Sequence, residues 1–289
     1  MLAQIVLTPA ESKKLIAKAI ARLEVVQQAA KEGIVALHPS SSTYFIAEEI
    51  AGSKPNTNYW VCGAVTPRGM CVEMAMVLGT GLTPHEESAD PGDLQGTWVI
   101  EKRQMVGEEK LSSLLYRMTP SDVYVKGVNA LDCEGNVGIL FGLEGSMGYI
   151  QAARKKRGFT IVYPAGLEKL IPIPVKEAAK EAKLARYEFG MGMPVGLYPC
   201  PIGVTVNEVR AIEILSGASA IPIASGGLGG AEGAITLVLK GKADEVMRAL
   251  EFVEQSKGAK LPDLRLCNCD ACPVPNCKFP MAGKRRISS

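Results

Sequence analysis

No stretch of this chain is apolar for long enough to span a bilayer, and the opening MLAQIVLTPAESKK has no signal-peptide core. No membrane association is therefore expected, and the cytoplasm is the expected location. A dominant charge sign is also lacking: 32 Lys and Arg stand against 30 Asp and Glu, a formal net charge of +2. That leaves no electrostatic footprint for nucleic acid beyond the short basic tail Lys284-Arg285-Arg286. Histidine is scarce, with two in the chain. His38 ends an apolar run, where core or capping use is the ordinary role, and His85-Glu86-Glu87 lacks the spacing of a metal-binding helix. No Gly-Lys-Ser/Thr follows the glycine-rich Gly226–Gly230 stretch, which excludes a Walker loop and leaves a hairpin turn or a backbone phosphate cradle. Cysteine is not scarce. Eight of them in a chain expected in the cytoplasm argue for thiols or bound metal rather than a disulfide framework.

What is present is a substantial apolar fraction, 47%, enough to build a large core. Thr8-Pro9-Ala10-Glu11 carries a capping box with proline at the first helical position, and Leu15, Ile16, Ile20 and Leu23 continue at helical spacing until Gly33. Ile34–Leu37 reads as a short buried strand, followed by the hydroxyl-rich His38–Thr43 loop and a helix over Tyr44–Ala51. Strands are expected around the turn Thr66–Gly69 and over Thr97–Glu101, and a helix over Glu108–Met118. Val123–Val125, Val137–Phe141 and Phe159–Tyr163 are apolar runs of the kind buried in a parallel sheet, with helices from Tyr149 and over Val175–Tyr187. Glycine, methionine and proline around 190–201 suggest a boundary, and the order beyond it reads as a ferredoxin-like split βαβ. The expected organisation is a three-layer Rossmann-like α/β domain with a mostly parallel sheet over 1–190. A ferredoxin-like α+β domain over 191–266 and a cysteine-rich tail over 267–289 complete it.

Open α/β sheets bind ligands beyond the carboxyl ends of their strands, against helix N-termini. Two such ends carry the candidate site. Ser40, Ser41, Ser42 and Thr43 offer hydroxyls and helix-start N–H groups to an anion. Lys126, Asn129 and Asp132 follow the Val123–Val125 run, and Glu144 lies in the glycine-rich Gly142–Gly148 stretch before a helix. Glu144 and Asp132 are the candidate catalytic carboxylates, with Glu144 as base or nucleophile. Asp132 and Asn129 are equally suited to Asx turns. Separately, Cys267, Cys269, Cys272 and Cys277 form C-x-C-x2-C-x4-C, enough thiolates to surround one metal ion or an iron–sulfur cluster. A set of four cysteines leaves no open position, so a structural zinc ion is preferred over a cluster.

Val35–Glu49, VALHPSSSTYFIAEE, resembles the strand, phosphate loop and helix of ribose-5-phosphate isomerases. Val123–Gly138 resembles the corresponding segment of the initiation-factor-2B-type proteins, within the superfamily that also holds class I CoA transferases. The resemblance implies a Rossmann-like fold over roughly Thr8–Ala185, a phosphorylated sugar or acyl/CoA-type ligand, and isomerase or transferase activity. It makes Glu144 the counterpart of the CoA-transferase nucleophile, and it puts Asn129 where the isomerase group carries an aspartate. The expected function is an enzyme on such a small anionic metabolite, in a homo-oligomer. The alternative is a non-catalytic ligand-binding or regulatory protein whose cysteine tail senses metal or redox state.

Overall fold

A computed structural model describes residues 1–55, 60–72, 96–142, 145–183, 187–188, 190–266, 268–269, 272 and 277. The fold is mixed α/β and is built on a six-stranded sheet. Across that sheet the order is β12 (Val204–Val206), β10 (Thr160–Pro164), β7 (Val123–Val125), β2 (Ile34–Leu37), β5 (Gly96–Glu101) and β6 (Gln104–Lys110). The first four strands run parallel. β5 and β6 complete the sheet as an antiparallel edge.

β2 and β7 are buried along their whole length, which is why they read as unbroken apolar runs without alternation. Side chains on one sheet face, Val35, Leu37, Val123, Val125 and Val162, join a core made with α1 (Pro9–Ile20), α2 (Glu24–Glu32) and α3 (Ser41–Ala51). Ala36, Tyr124, Ile161 and Tyr163 point the other way, into a second core with α4 (Leu111–Arg117) and α5 (Met147–Arg157).

Three smaller sheets complete the frame. β3 (Gly63–Thr66) and β4 (Gly69–Val72) form a hairpin, and β11 (Gly196–Pro199), β9 (Val137–Phe141) and β8 (Ala130–Leu131) an antiparallel trio. α6 (Val175–Glu181) packs on β11. The last sheet places β14 (Ile235–Lys240) between β13 (Ser219–Ser225) and β1 (Leu2–Leu7). Its inner face joins the first core with α7 (Glu208–Ser216) and α8 (Ala243–Glu254).

Several sequence expectations change here. The boundary near 190 is not one in strand pairing, because β12 belongs to the main sheet while β1 crosses to β14. Of the ferredoxin-like order only α7, β13, β14 and α8 stay together, and the strand that flanks β14 on its other side is β1. The first helix is two helices, α1 ending at Ile20 and α2 starting at Glu24. The helix expected from Glu108 begins at Leu111, since Glu108, Glu109 and Lys110 pair with β5. The capping box is present: Glu11 N donates to Thr8 Oγ1 at 3.5 Å and Thr8 N to Glu11 Oε2 at 2.9 Å. No helix of the described residues is long and apolar enough to cross a membrane.

Candidate functional site

A cleft of about 870 Å³ opens at the carboxyl ends of β2, β7 and β10, within the usual size range of small-ligand sites. The loop from β2 to α3 forms its first wall. Ser40 caps α3, accepting from Thr43 N at 3.3 Å with extended backbone angles. Thr43 is fully buried and its hydroxyl donates to His38 O at 2.6 Å, so it fastens the loop. It does not line the cleft, whereas Ser40, Ser41 and Ser42 do. By position, the Ser41 and Ser42 N–H groups have no partner within the helix and carry its positive end.

The end of β7 abuts this cap. A Cβ on Gly127 would sit 2.7 Å from Ser40 Oγ, so the close approach of the two loops needs glycine there. Just before it, Lys126 is 4% exposed and lines the cleft. Its ammonium donates to Ser146 Oγ at 3.1 Å, at the start of α5. No carboxylate pairs with it among the described residues. Burial pushes Lys126 down to about 8, although the Cys62 and Cys200 thiols act to raise it. Cys62, also in the cleft wall, is pushed up to about 12 by burial and stays a thiol. His38 is held well below its usual value, first by burial and then by Lys126, and its Nδ1 lies 3.1 Å from the Tyr124 hydroxyl. It is a neutral imidazole at pH 7.

The end of β10 supplies a wall that the candidate list lacks. Glu168 and Lys169 line the cleft from the short 3-10 turn Leu167–Lys169. Glu168 Oε1 accepts from Lys13 Nζ at 2.6 Å, while its Oε2 is buried without a hydrogen-bond partner among the described residues. Burial acts to raise the Glu168 carboxyl, but Lys169 and Lys13 outweigh it and the net direction is down. Lys169 is partly exposed as a residue, with its ammonium enclosed; desolvation lowers it to about 8 against the pull of Glu168. The signal that could have found this pair is the rule that found the other two loops, since Phe159–Tyr163 was itself a buried run.

Asn129 and Asp132 are both engaged in hydrogen bonds of the fold. Asn129 is an exposed residue at the cleft wall whose Oδ1 accepts from Leu140 N at 3.0 Å, bracing β8 against β9. Asp132 does not line the cleft. Its carboxylate accepts from the Glu134, Asn136 and Val175 backbone N–H groups at 3.0, 2.9 and 3.0 Å, closing a turn and tying it to the start of α6. A carboxylate so engaged lacks the free lone pairs a catalytic base uses, and the Asx-turn role explains it. Glu144 lies outside the described residues, between Gly142 and Gly145, which line the cleft.

Asp132 is covered by its own turn (4% exposed), and although burial acts to raise its carboxyl, the bonds from Val175 and Asn136 bring it below the ordinary value. A carboxyl lowered on folding adds stability above its unfolded value, and that contribution is lost as pH falls through the folded value. Asp132→Ala is expected to cost about 1–3 kcal/mol at pH 7, in chemical denaturation, with the gap from the parent narrowing near pH 3. An equal gap at both pH values would show that the carboxylate charge is not what holds the turn.

Cys269, Cys272 and Cys277 are half-buried, and Arg68 Nη1 donates to Cys269 Sγ at 3.5 Å. Cys267 lies outside the described residues, and among those described no group of three or more His, Cys, Asp or Glu is gathered to hold a metal ion. Comparison with protein-family models, with curated proteins and with solved structures finds no match to the chain.

Proposed function

We propose that the protein is an enzyme acting on a small anionic metabolite, a phosphorylated sugar or an acyl/CoA-type molecule, bound at the carboxyl rim of the main sheet in a Rossmann-like, three-layer frame. The observation that carries this reading is Lys126. A buried ammonium costs several kcal/mol unless compensated, and it sits at the start of the eleven-residue helix α5, whose dipole repels it further. Such an arrangement is satisfied by an anion. The Ser41 and Ser42 N–H groups and Lys126 would hold the anionic end, and the apolar walls at Ile139, Phe141 and Met193 would cover the rest. Glu168 and Lys169, also in the cleft lining, would be the ionisable groups that move a proton.

Calorimetric titration with ribose 5-phosphate and with inorganic phosphate tests this. Both are expected to bind, and Lys126→Met is expected to weaken both by about 10- to 100-fold, the worth of one charge-assisted hydrogen bond. No binding by either probe, or equal affinity in the variant, would remove the anion site.

A further inference from the structure

A lysine that only neutralises an anion needs no burial and is usually found with a carboxylate to hold it between binding events. Lys126 is buried and, among the described residues, has no carboxylate paired with it. It lines a cleft with substantial apolar walls, and among the described residues its nitrogen is held by the Ser146 hydroxyl at 3.1 Å. Lys169, in the lining of the same cleft, differs in having Glu168 beside it.

We propose that Lys126 is an imine-forming amine, and that the substrate of this cleft carries an aldehyde or ketone carbonyl that condenses with Lys126 Nζ. This rests on the cleft being the reaction site. The free amine adds to the carbonyl carbon, forming the C–N bond, and the carbonyl oxygen becomes a hydroxyl with a proton leaving nitrogen. Loss of that hydroxyl with the second nitrogen proton releases one water and leaves C=N, so no oxidant or reductant is consumed. Ser146 Oγ, already at the nitrogen, is placed to pass the proton from nitrogen to the departing oxygen. The imine, once protonated, withdraws electrons from the adjacent carbon, which suits isomerisation or cleavage next to a carbonyl. The positive end of α5 favours the free amine before condensation, and the α3 start, lining the same cleft, favours an anionic group on the substrate. With a value of about 8, roughly a tenth of Lys126 is free amine at pH 7. For an ordinary exposed lysine that fraction is smaller by on the order of a hundredfold.

The test is labelling of the full chain with glycolaldehyde at pH 7 in the presence of cyanoborohydride, which fixes imines as secondary amines, followed by peptide mapping. Lys126 is expected to be modified at least tenfold faster than Lys31 and Lys242, whose side chains are 72% and 81% exposed. Inorganic phosphate is expected to protect it. Lys126→Arg should abolish the adduct at that position, and Lys169→Arg should leave labelling of Lys126 in place. Labelling of Lys126 no faster than that of Lys31, or transfer of the fast site to Lys169, overturns the inference. Phosphate titration of the same samples separates the two readings. Phosphate binding without fast labelling sinks the imine alone, and fast labelling without phosphate binding sinks the anion site alone.

Discussion

Asp122→Ala is expected to lower stability by about 2–4 kcal/mol, because it removes the acceptor for one buried and two part-buried donors at once. Asp122 is 2% exposed, and its carboxylate accepts from Ile34 N at 2.7 Å, Thr119 N at 2.6 Å and Thr119 Oγ1 at 3.0 Å. Ile34 opens β2, and Asp122 immediately precedes β7, so this one side chain sets where two neighbouring parallel strands begin. Their carboxyl ends then arrive together at the cleft. A Cβ on Gly33 would stand 2.5 Å from Asp122 Oδ1, so the strand start is built around this contact. Thermal unfolding should fall by about 5–15 °C at this chain size, and Asp122→Asn, which keeps one acceptor, should recover part of it. A shift under about 2 °C for alanine would show that water replaces the carboxylate without penalty.

Lys126→Met is expected to do the reverse and make the protein more stable at pH 7, by on the order of 3 kcal/mol. Lys126 has an ordinary value of 10.5 and is brought to about 8 by burial. Between those values the unfolded chain binds the proton and the folded chain does not, so the parent gains stability as pH rises through that window. Below about 8 both states carry the charge, and the cost of burying the ammonium is present in full. Denaturant midpoints should therefore separate variant from parent at pH 7 and converge near pH 10. Loss of stability in Lys126→Met at pH 7 would show that the ammonium is compensated inside the fold. Gain of stability with loss of phosphate binding is the pattern of a residue kept for function.

Much of the frame was legible because it is local. Ile34–Leu37, Val123–Val125 and Val137–Phe141 stand out as apolar runs ended by turn-forming residues, and Ser40 and Thr8 announce helix starts by their own side chains. Less was legible where a distant partner decides. Leu2–Leu7 alternates weakly, and only pairing with Ile235–Lys240 makes it a strand. Glu108–Lys110 has helix-forming composition, yet pairing with Gly96–Trp98 extends it. At the site, the serines, Lys126 and Asn129 could be placed by the strand-end rule. The occupied carboxylate of Asp132 could not, since Val175, forty-three residues later, is one of its donors. Nor could the neutral state of His38, which depends on enclosure from several elements.

The union of β1 with β14 has a consequence for how this chain is made. Its first strand emerges from the ribosome more than two hundred residues before its neighbour, and Met1 N closes the arrangement by donating to Gly241 O at 2.7 Å. Until then the strand has an open edge, and α1, which follows it, lacks α7 and α8 to rest on. Closure of that sheet therefore waits until Ile235–Lys240 has been made, with the slow pairing and aggregation-prone interval that such distant contacts bring.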